Sequence, residues 1–203
     1  MTTVRLAAAL ALLLAAATTV RADALEEGVQ AFERKHYRDA FVLLRPQAER
    51  GQAQAQYLVG RMFEDGYGTD RDQVAAAKWY RLSAEQGNAL AQHALAVFYA
   101  VGWGVPPDLG ESLTWLRRSA MQGYYYAQSD LASRYRTGRG LARNDVLAFV
   151  WFDLAEASAP ASVKAVLAGS RDEVARDLSP AMLAHAKGIA ARCRRSNLAD
   201  CEG

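Results

Sequence analysis

Residues 51–86 read GQAQAQYLVGRMFEDGYGTDRDQVAAAKWYRLSAEQ, and residues 87–122 read GNALAQHALAVFYAVGWGVPPDLGESLTWLRRSAMQ. Set one above the other they align without a gap, and residues 123–158 continue the register. Six columns are identical in all three units: Gly51/Gly87/Gly123, Ala55/Ala91/Ala127, Gln56/Gln92/Gln128, Gly66/Gly102/Gly138, Gly68/Gly104/Gly140 and Trp79/Trp115/Trp151. Val59/Leu95/Leu131, Phe63/Tyr99/Tyr135 and Tyr80/Leu116/Phe152 keep their chemistry. A fixed period of this length marks a repeat architecture, in which each supersecondary unit buries its apolar face on its neighbour.

Within a unit the pattern is two helices. Ala55, Val59 and Phe63 step by four and form one apolar stripe, as do Ala91/Leu95/Tyr99 and Ala127/Leu131/Tyr135. The G-x-G that follows ends this helix, since glycine enters the left-handed backbone of a helix C-terminus without a Cβ clash. Asp72, Asp108 and Asn144 stand where the second helix needs an N-cap, and Glu111, three residues after Asp108, gives a capping-box pattern. The second helix is expected to bury Ala76, Trp79 and Tyr80 and to end at the glycine that opens the next unit. The expected fold is all-α: an α-α superhelix, or solenoid, of 36-residue helix pairs.

The pattern A-x-x-x-(L/V)-(G/A)-x-x-(F/Y)-x-x-G-x-G, then Asp, then A-x-x-W and Gly, resembles the Sel-1-like repeat, a relative of the tetratricopeptide repeat. Gly60 matches that family's small residue between helices, and Ala96 and Ala132 replace it with alanine. Units 51–86 and 87–122 match in full. Unit 123–158 departs at Asn144, Glu156 and the following Ala159, as suits a last repeat facing a different neighbour.

The flanks extend the helical reading. Residues 23–50 read as a tetratricopeptide-like pair through Gly28, Ala31, Phe32, Tyr37, Ala40, Leu43 and Leu44, with Pro46 expected to kink its second helix. Residues 159–203 read as a helical C-terminal cap with helices over 162–178 and 179–195; Ser179-Pro180 pairs an N-cap with proline at the first helical position. Residues 1–22 read as a signal peptide. Arg5 gives a positive start, 6–17 is a Leu/Ala run too short to span a bilayer, and small residues allow cleavage after Ala22 or Ala24. An uncleaved anchor is the competing reading. The expected location is export, to the periplasm or beyond.

Export changes the charge argument. A cut after Ala22 removes Arg5 and Arg21 from 24 Lys+Arg and leaves 22, against 22 Asp+Glu. The sequence pI of 8.6 therefore overstates the basicity of the mature chain. A neutral chain has no global electrostatic attraction to nucleic acid or anionic membranes, and after signal cleavage no stable membrane insertion is expected. Cys193 and Cys201 are the only cysteines. In an oxidising compartment they invite a disulfide, with a metal pair or free thiols as the alternatives.

No catalytic constellation is apparent. His36, His93 and His185 fall in different helix pairs, and S-x-x-K, G-x-S-x-G and H-E-x-x-H are absent. The G-x-G follows a helix and lacks a third glycine, so it caps helices and does not cradle phosphate. The tryptophan column at fixed helical register is core packing. No cofactor or metal is expected.

What remains are positions the repeat does not prescribe. First helices of such solenoids line the concave face, and their variable residues are Gln54, Tyr57, Leu58 and Arg61; Leu90, His93, Ala94 and Val97; and Tyr126, Ser129, Asp130 and Ser133. Tyr57, Arg61, Leu90, His93, Val97, Tyr126 and Asp130 form the candidate ligand-binding set, an apolar centre with a polar rim that suits a peptide groove. In the alternative reading Leu90 and Val97 pack on neighbouring helices. Tyr124, Tyr125 and Tyr126 cannot all face the core, because helical neighbours diverge by about 100°. Trp103 lies in the loop between Gly102 and Gly104. Trp103 and Tyr124 are the candidate exposed anchors.

The family resemblance implies a non-catalytic interaction scaffold of the cell envelope that binds a protein or peptide. The alternatives are an enzyme or modulator acting on cell-wall or β-lactam-like substrates, and an oligomerising module. Relatives associated with β-lactams carry cysteine pairs within their repeats, which this chain lacks.

Overall fold

The computed structural model describes residues 24–198 and Cys201; the expected signal segment, 1–22, lies outside them. The described residues form helices and turns and no strand. They divide into two compact units after Gln86.

The first unit holds α1 (residues 24–33), α2 (Tyr37–Glu49), α3 (Ala53–Asp65) and α4 (Gln73–Glu85). Its core is Ala40, Leu44, Ala55, Val59 and Met62, with Phe32, Phe63 and Trp79 packed against it. Leu58 belongs to this core, a correction to its placing among the outward positions. Helix α3 packs on both α2 and α4, so its buried arc is wider than one stripe and takes in Leu58 and Met62. Helix α2 runs on through Pro46 to Glu49 without ending there. The loop after α3 lies on the first turn of α2, where Tyr37 and Tyr67 stack at 4.2 Å. Any Cβ at Gly68 would collide with the Tyr37 carbonyl, so only glycine allows this approach.

The second unit holds α5 (Ala89–Val101), α6 (Leu109–Ala120), α7 (Tyr125–Thr137), α8 (Asp145–Ser158), α9 (Ala161–Asp177) and α10 (Pro180–Arg195). Each helix packs on the next from α5 to α9, and α10 returns onto α8. Trp115 and Trp151 are buried here, whereas Trp79 of the first unit is half-buried. Ion pairs Arg171–Glu156, Arg194–Asp153 and Arg136–Asp177 attach α9 and α10 to the last repeat. Cys193 and Cys201 form a disulfide, and both are buried.

Side-chain hydrogen bonds explain the punctuation. Asp72 accepts from the Ala75 N–H, Asp108 from Gly110 and Glu111, Asn144 from Leu147 and Ser179 from Met182. Each such cap stabilises its helix by about 1 kcal/mol. The Glu111 carboxylate accepts the Trp115 indole N–H at 3.0 Å, fixing the tryptophan within the turn that Asp108 caps. The glutamine column is buried. Gln56 Nε2 donates to the Ala48 carbonyl at the end of α2, and Gln128 Nε2 to the Ala120 carbonyl at the end of α6, both at 3.1 Å. Helix-end carbonyls lack the usual intrahelical partner; here each accepts a backbone N–H of the following turn, from Gly51 and Gly123, and the glutamine adds a second donor. No helix among the described residues is long and apolar enough to cross a membrane.

Candidate functional site

In the first unit Tyr57 and Arg61 belong to one closed cluster. The Tyr57 ring lies 5.9 Å from that of Tyr80, and the Tyr80 hydroxyl donates to Glu64. Arg61 sits 5.4 Å over the Phe32 ring, bonds to Tyr57, and lies 3.7 Å from Asp65. Burial raises the Tyr80 phenol far above its ordinary range, and the Glu64 carboxylate adds to it. Burial also works to lower the Arg61 guanidinium, but Tyr57, Tyr80 and Asp65 together raise it. Every charge in this cluster has a partner.

In the second unit His93, Tyr124, Tyr126 and Asp130 come together. His93 Nε2 lies 2.8 Å from Asp130 Oδ2, and its ring is edge-on to Tyr124 at 5.4 Å and stacked on Tyr126 at 6.4 Å. Tyr126 is 50% exposed and Leu90 38%. Tyr124 is half-buried, so it is not the exposed member of the trio. It is the N-cap of α7, ahead of the helical register, and the divergence of helical neighbours applies only to Tyr125 and Tyr126. Trp103 is 37% exposed and meets Phe98 edge-to-face at 5.7 Å. Among the described residues no three His, Cys, Asp or Glu side chains gather as a metal site.

Beyond Asp130 lies a cleft of about 480 Å³. Val97, Ala100 and Val101 of α5 line it, with Asp130, Ser133, Arg134 and Thr137 of α7 and Arg139 just after that helix. The Ser133 and Thr137 hydroxyls donate back to the Ser129 and Ser133 carbonyls of their own helix, which leaves the guanidiniums as donors. Arg134 Nη2 donates to Ser112 Oγ at 2.7 Å, and that hydroxyl donates to the Ala96 carbonyl at 2.6 Å. Arg134 Nη1 is buried without a hydrogen-bond partner. Burial holds the Arg134 guanidinium below its ordinary value, neighbouring Arg139 adds to this, and Asp130 opposes it.

The Sel1 repeat profile matches residues 53–88, 89–124 and 126–158, more than half of the chain. The chain belongs to the Sel1 repeat family. A Sel1 repeat protein from Oxalobacter formigenes is similar in structure, with a TM-score of 0.65 and 28% identity, covering 68% of this chain and 55% of that one. The protein c5321, a protective antigen of uropathogenic Escherichia coli displaying an SLR fold, has a TM-score of 0.65 and 28% identity, covering 71% of this chain and 32% of that one. The chain thus spans about half the length of the first and a third of the second. No curated protein matches it. Sel1 repeats generally serve as scaffolds for protein–protein interaction.

Aligned as Sel1 repeats, the units expose what sequence reading missed. Arg134 stands in the column of Met62 and Phe98, both fully buried core residues. Arg139 stands in the column of Tyr67 and Trp103. The second repeat therefore has an aromatic pair, Phe98 on Trp103, where the third has two cations. The signal was available as a break in an apolar column.

Proposed function

We propose that this Sel1 repeat protein is an exported, non-catalytic scaffold that binds a protein or peptide segment on the first helices of its repeats. The observation that carries this reading is the surface around His93, which has exposed Tyr126 and Leu90 and the Asp130 carboxylate, the last of which lines a cleft. Exposed tyrosine beside apolar and charged groups is what binding hot spots use. In this reading Tyr57 and Arg61 of the first unit, and Val97 of the second, are further contact positions, each taken within its own unit, with Trp103 as an additional exposed aromatic. The signal-like pattern of residues 1–22 and the Cys193–Cys201 disulfide support an oxidising, extracytoplasmic location, periplasmic or secreted.

Affinity capture from the cell envelope, comparing the wild type with a Tyr57→Ala/Leu90→Ala/Tyr126→Ala variant, tests the reading. The variant is expected to lose partners that the wild type retains. Identical recoveries by the two proteins would refute the assignment of these residues.

A further inference from the structure

Four residues in the cap and first turns of α7 depart from the columns they stand in. Tyr124 replaces Gln52 and Asn88, Tyr125 replaces Ala53 and Ala89, Tyr126 replaces Gln54 and Leu90, and Asp130 replaces Leu58 and Ala94. Packing accounts for Tyr125, which lies against Ala155, Ala159 and Leu167. It does not account for Tyr126, whose ring is half exposed, or for Asp130, whose side chain is 51% exposed. The change also has a cost. Asn88 caps α5 with its side chain, whereas α7, entered through Tyr124, has no side-chain cap.

Elsewhere the chain covers ring faces with its own cations. Arg61 lies over Phe32 at 5.4 Å, Arg45 over Phe41 at 5.8 Å and Arg118 over Trp115 at 4.6 Å. Among the described residues no cation lies over Tyr126, and Asp130 forms no ion pair with an arginine or lysine. Arg134 stands where such a partner is expected, since side chains four apart on a helix are neighbours. Its guanidinium is drawn instead to Ser112 Oγ on α6. Asp130 Oδ2 meets the His93 imidazole, and a neutral imidazole donating its N–H leaves the carboxylate's charge in place.

This surface joins a π face, a negative charge and an apolar neighbour, since exposed Leu90 lies one turn before His93 on α5. An aromatic face attracts a cation through its quadrupole, and a carboxylate adds a charge-assisted hydrogen bond. An anion or a neutral apolar group would use only part of this set. Lysine and arginine side chains use all of it, because each carries its charge at the end of an apolar stem.

We propose that the His93–Tyr126–Asp130 surface binds a lysine or arginine side chain of the partner segment, its cation between the Tyr126 ring and the Asp130 carboxylate and its stem along Leu90. This rests on the scaffold reading and specifies what the partner presents. His93 touches both groups and keeps ring and carboxylate on one surface.

The test follows the Leu90 methyl and Tyr126 ring signals of the full chain by NMR, at constant ionic strength and about pH 8, where imidazole is ordinarily neutral. The probes are N-acetyl-lysinamide and N-acetyl-argininamide, with N-acetyl-norleucinamide and N-acetyl-citrullinamide as their uncharged counterparts. Saturable shifts are expected with midpoints on the order of 10 mM for the charged probes. The uncharged counterparts should bind at least about fivefold more weakly. Tyr126→Leu and Asp130→Asn, both at exposed positions and read at Leu90, should each weaken the charged probes by about fivefold or more. Tyr126→Phe keeps the π face and should weaken them by less than about twofold.

Equal binding of the uncharged counterparts, unaltered binding by Tyr126→Leu or Asp130→Asn, or no shifts in the wild type would each overturn the proposal. A loss in Tyr126→Phe as large as that in Tyr126→Leu would assign the contact to the hydroxyl and overturn it as well. If it fails while envelope capture still depends on Tyr57, Leu90 and Tyr126, the scaffold reading stands without it. Loss of that dependence would instead count against the scaffold.

Discussion

Arg61 and Arg134 are half-buried cations on first helices, one in each unit, and their surroundings are opposite. Around Arg61 are Tyr57, Asp65, the Phe32 ring and the Tyr80–Glu64 pair, so its charge is compensated within the repeat. Around Arg134 are the Ser112 hydroxyl, the Arg139 guanidinium and the Asp130 carboxylate, whose attraction is smaller than the effects of burial and of Arg139. A buried charge is tolerated when paired and costly when not. The contrast shows that one repeat geometry can either satisfy a cation internally or leave one of its buried amino groups without a hydrogen-bond partner.

The largest test of this contrast transplants the third repeat's cation into the second. Phe98→Arg should lower the free energy of unfolding by about 4 kcal/mol, from lost aromatic burial and an unpaired charge, as measured by urea denaturation. A loss below about 1 kcal/mol would mean that any repeat accepts charge here, and the contrast would collapse. Opening the closed cluster comes next. Tyr80→Phe removes the hydrogen bond to Glu64 and should cost about 2 kcal/mol by the same measurement. Arg134→Met, the first repeat's residue at this position, should stabilise by about 1 kcal/mol and raise the thermal midpoint by about 2–4 °C in calorimetry. The smallest effect is expected for Arg139→Gln, which should alter stability by less than about 0.5 kcal/mol in the same calorimetry.

Much of the fold was legible in the sequence because the repeat states its constraints three times. Asp72, Asp108 and Asn144 cap their helices as their positions require, and the Gly66, Gly102 and Gly138 column closes the first helices in the left-handed conformation. Leu58 was harder to place, because a helix packed on two neighbours buries more of its circumference than its most regular stripe reveals. Tyr124 misled because helical spacing does not apply to a capping residue. The site was less legible than the fold for a related reason. Reading columns for identity finds what the repeat needs for packing. Arg134 departs from its column, and the environment that makes the departure costly, with Ser112 on α6 and Arg139 beyond α7, appears only when the helices are assembled.

The buried glutamines carry a consequence for how such a chain can change in length. Gln56 and Gln128 each reach back eight residues to the closing carbonyl of the preceding helix, so the two joints are chemically the same bond. A duplicated block of 36 residues would arrive with its donor already aimed at an acceptor of the right kind. A block one residue shorter would turn that donor by about 100° around the helix and leave the buried amide without this acceptor. Genetic drift in repeat number is therefore quantised: whole units can be gained or lost at the joint, while single-residue slippage within it is selected against by the hydrogen bond itself.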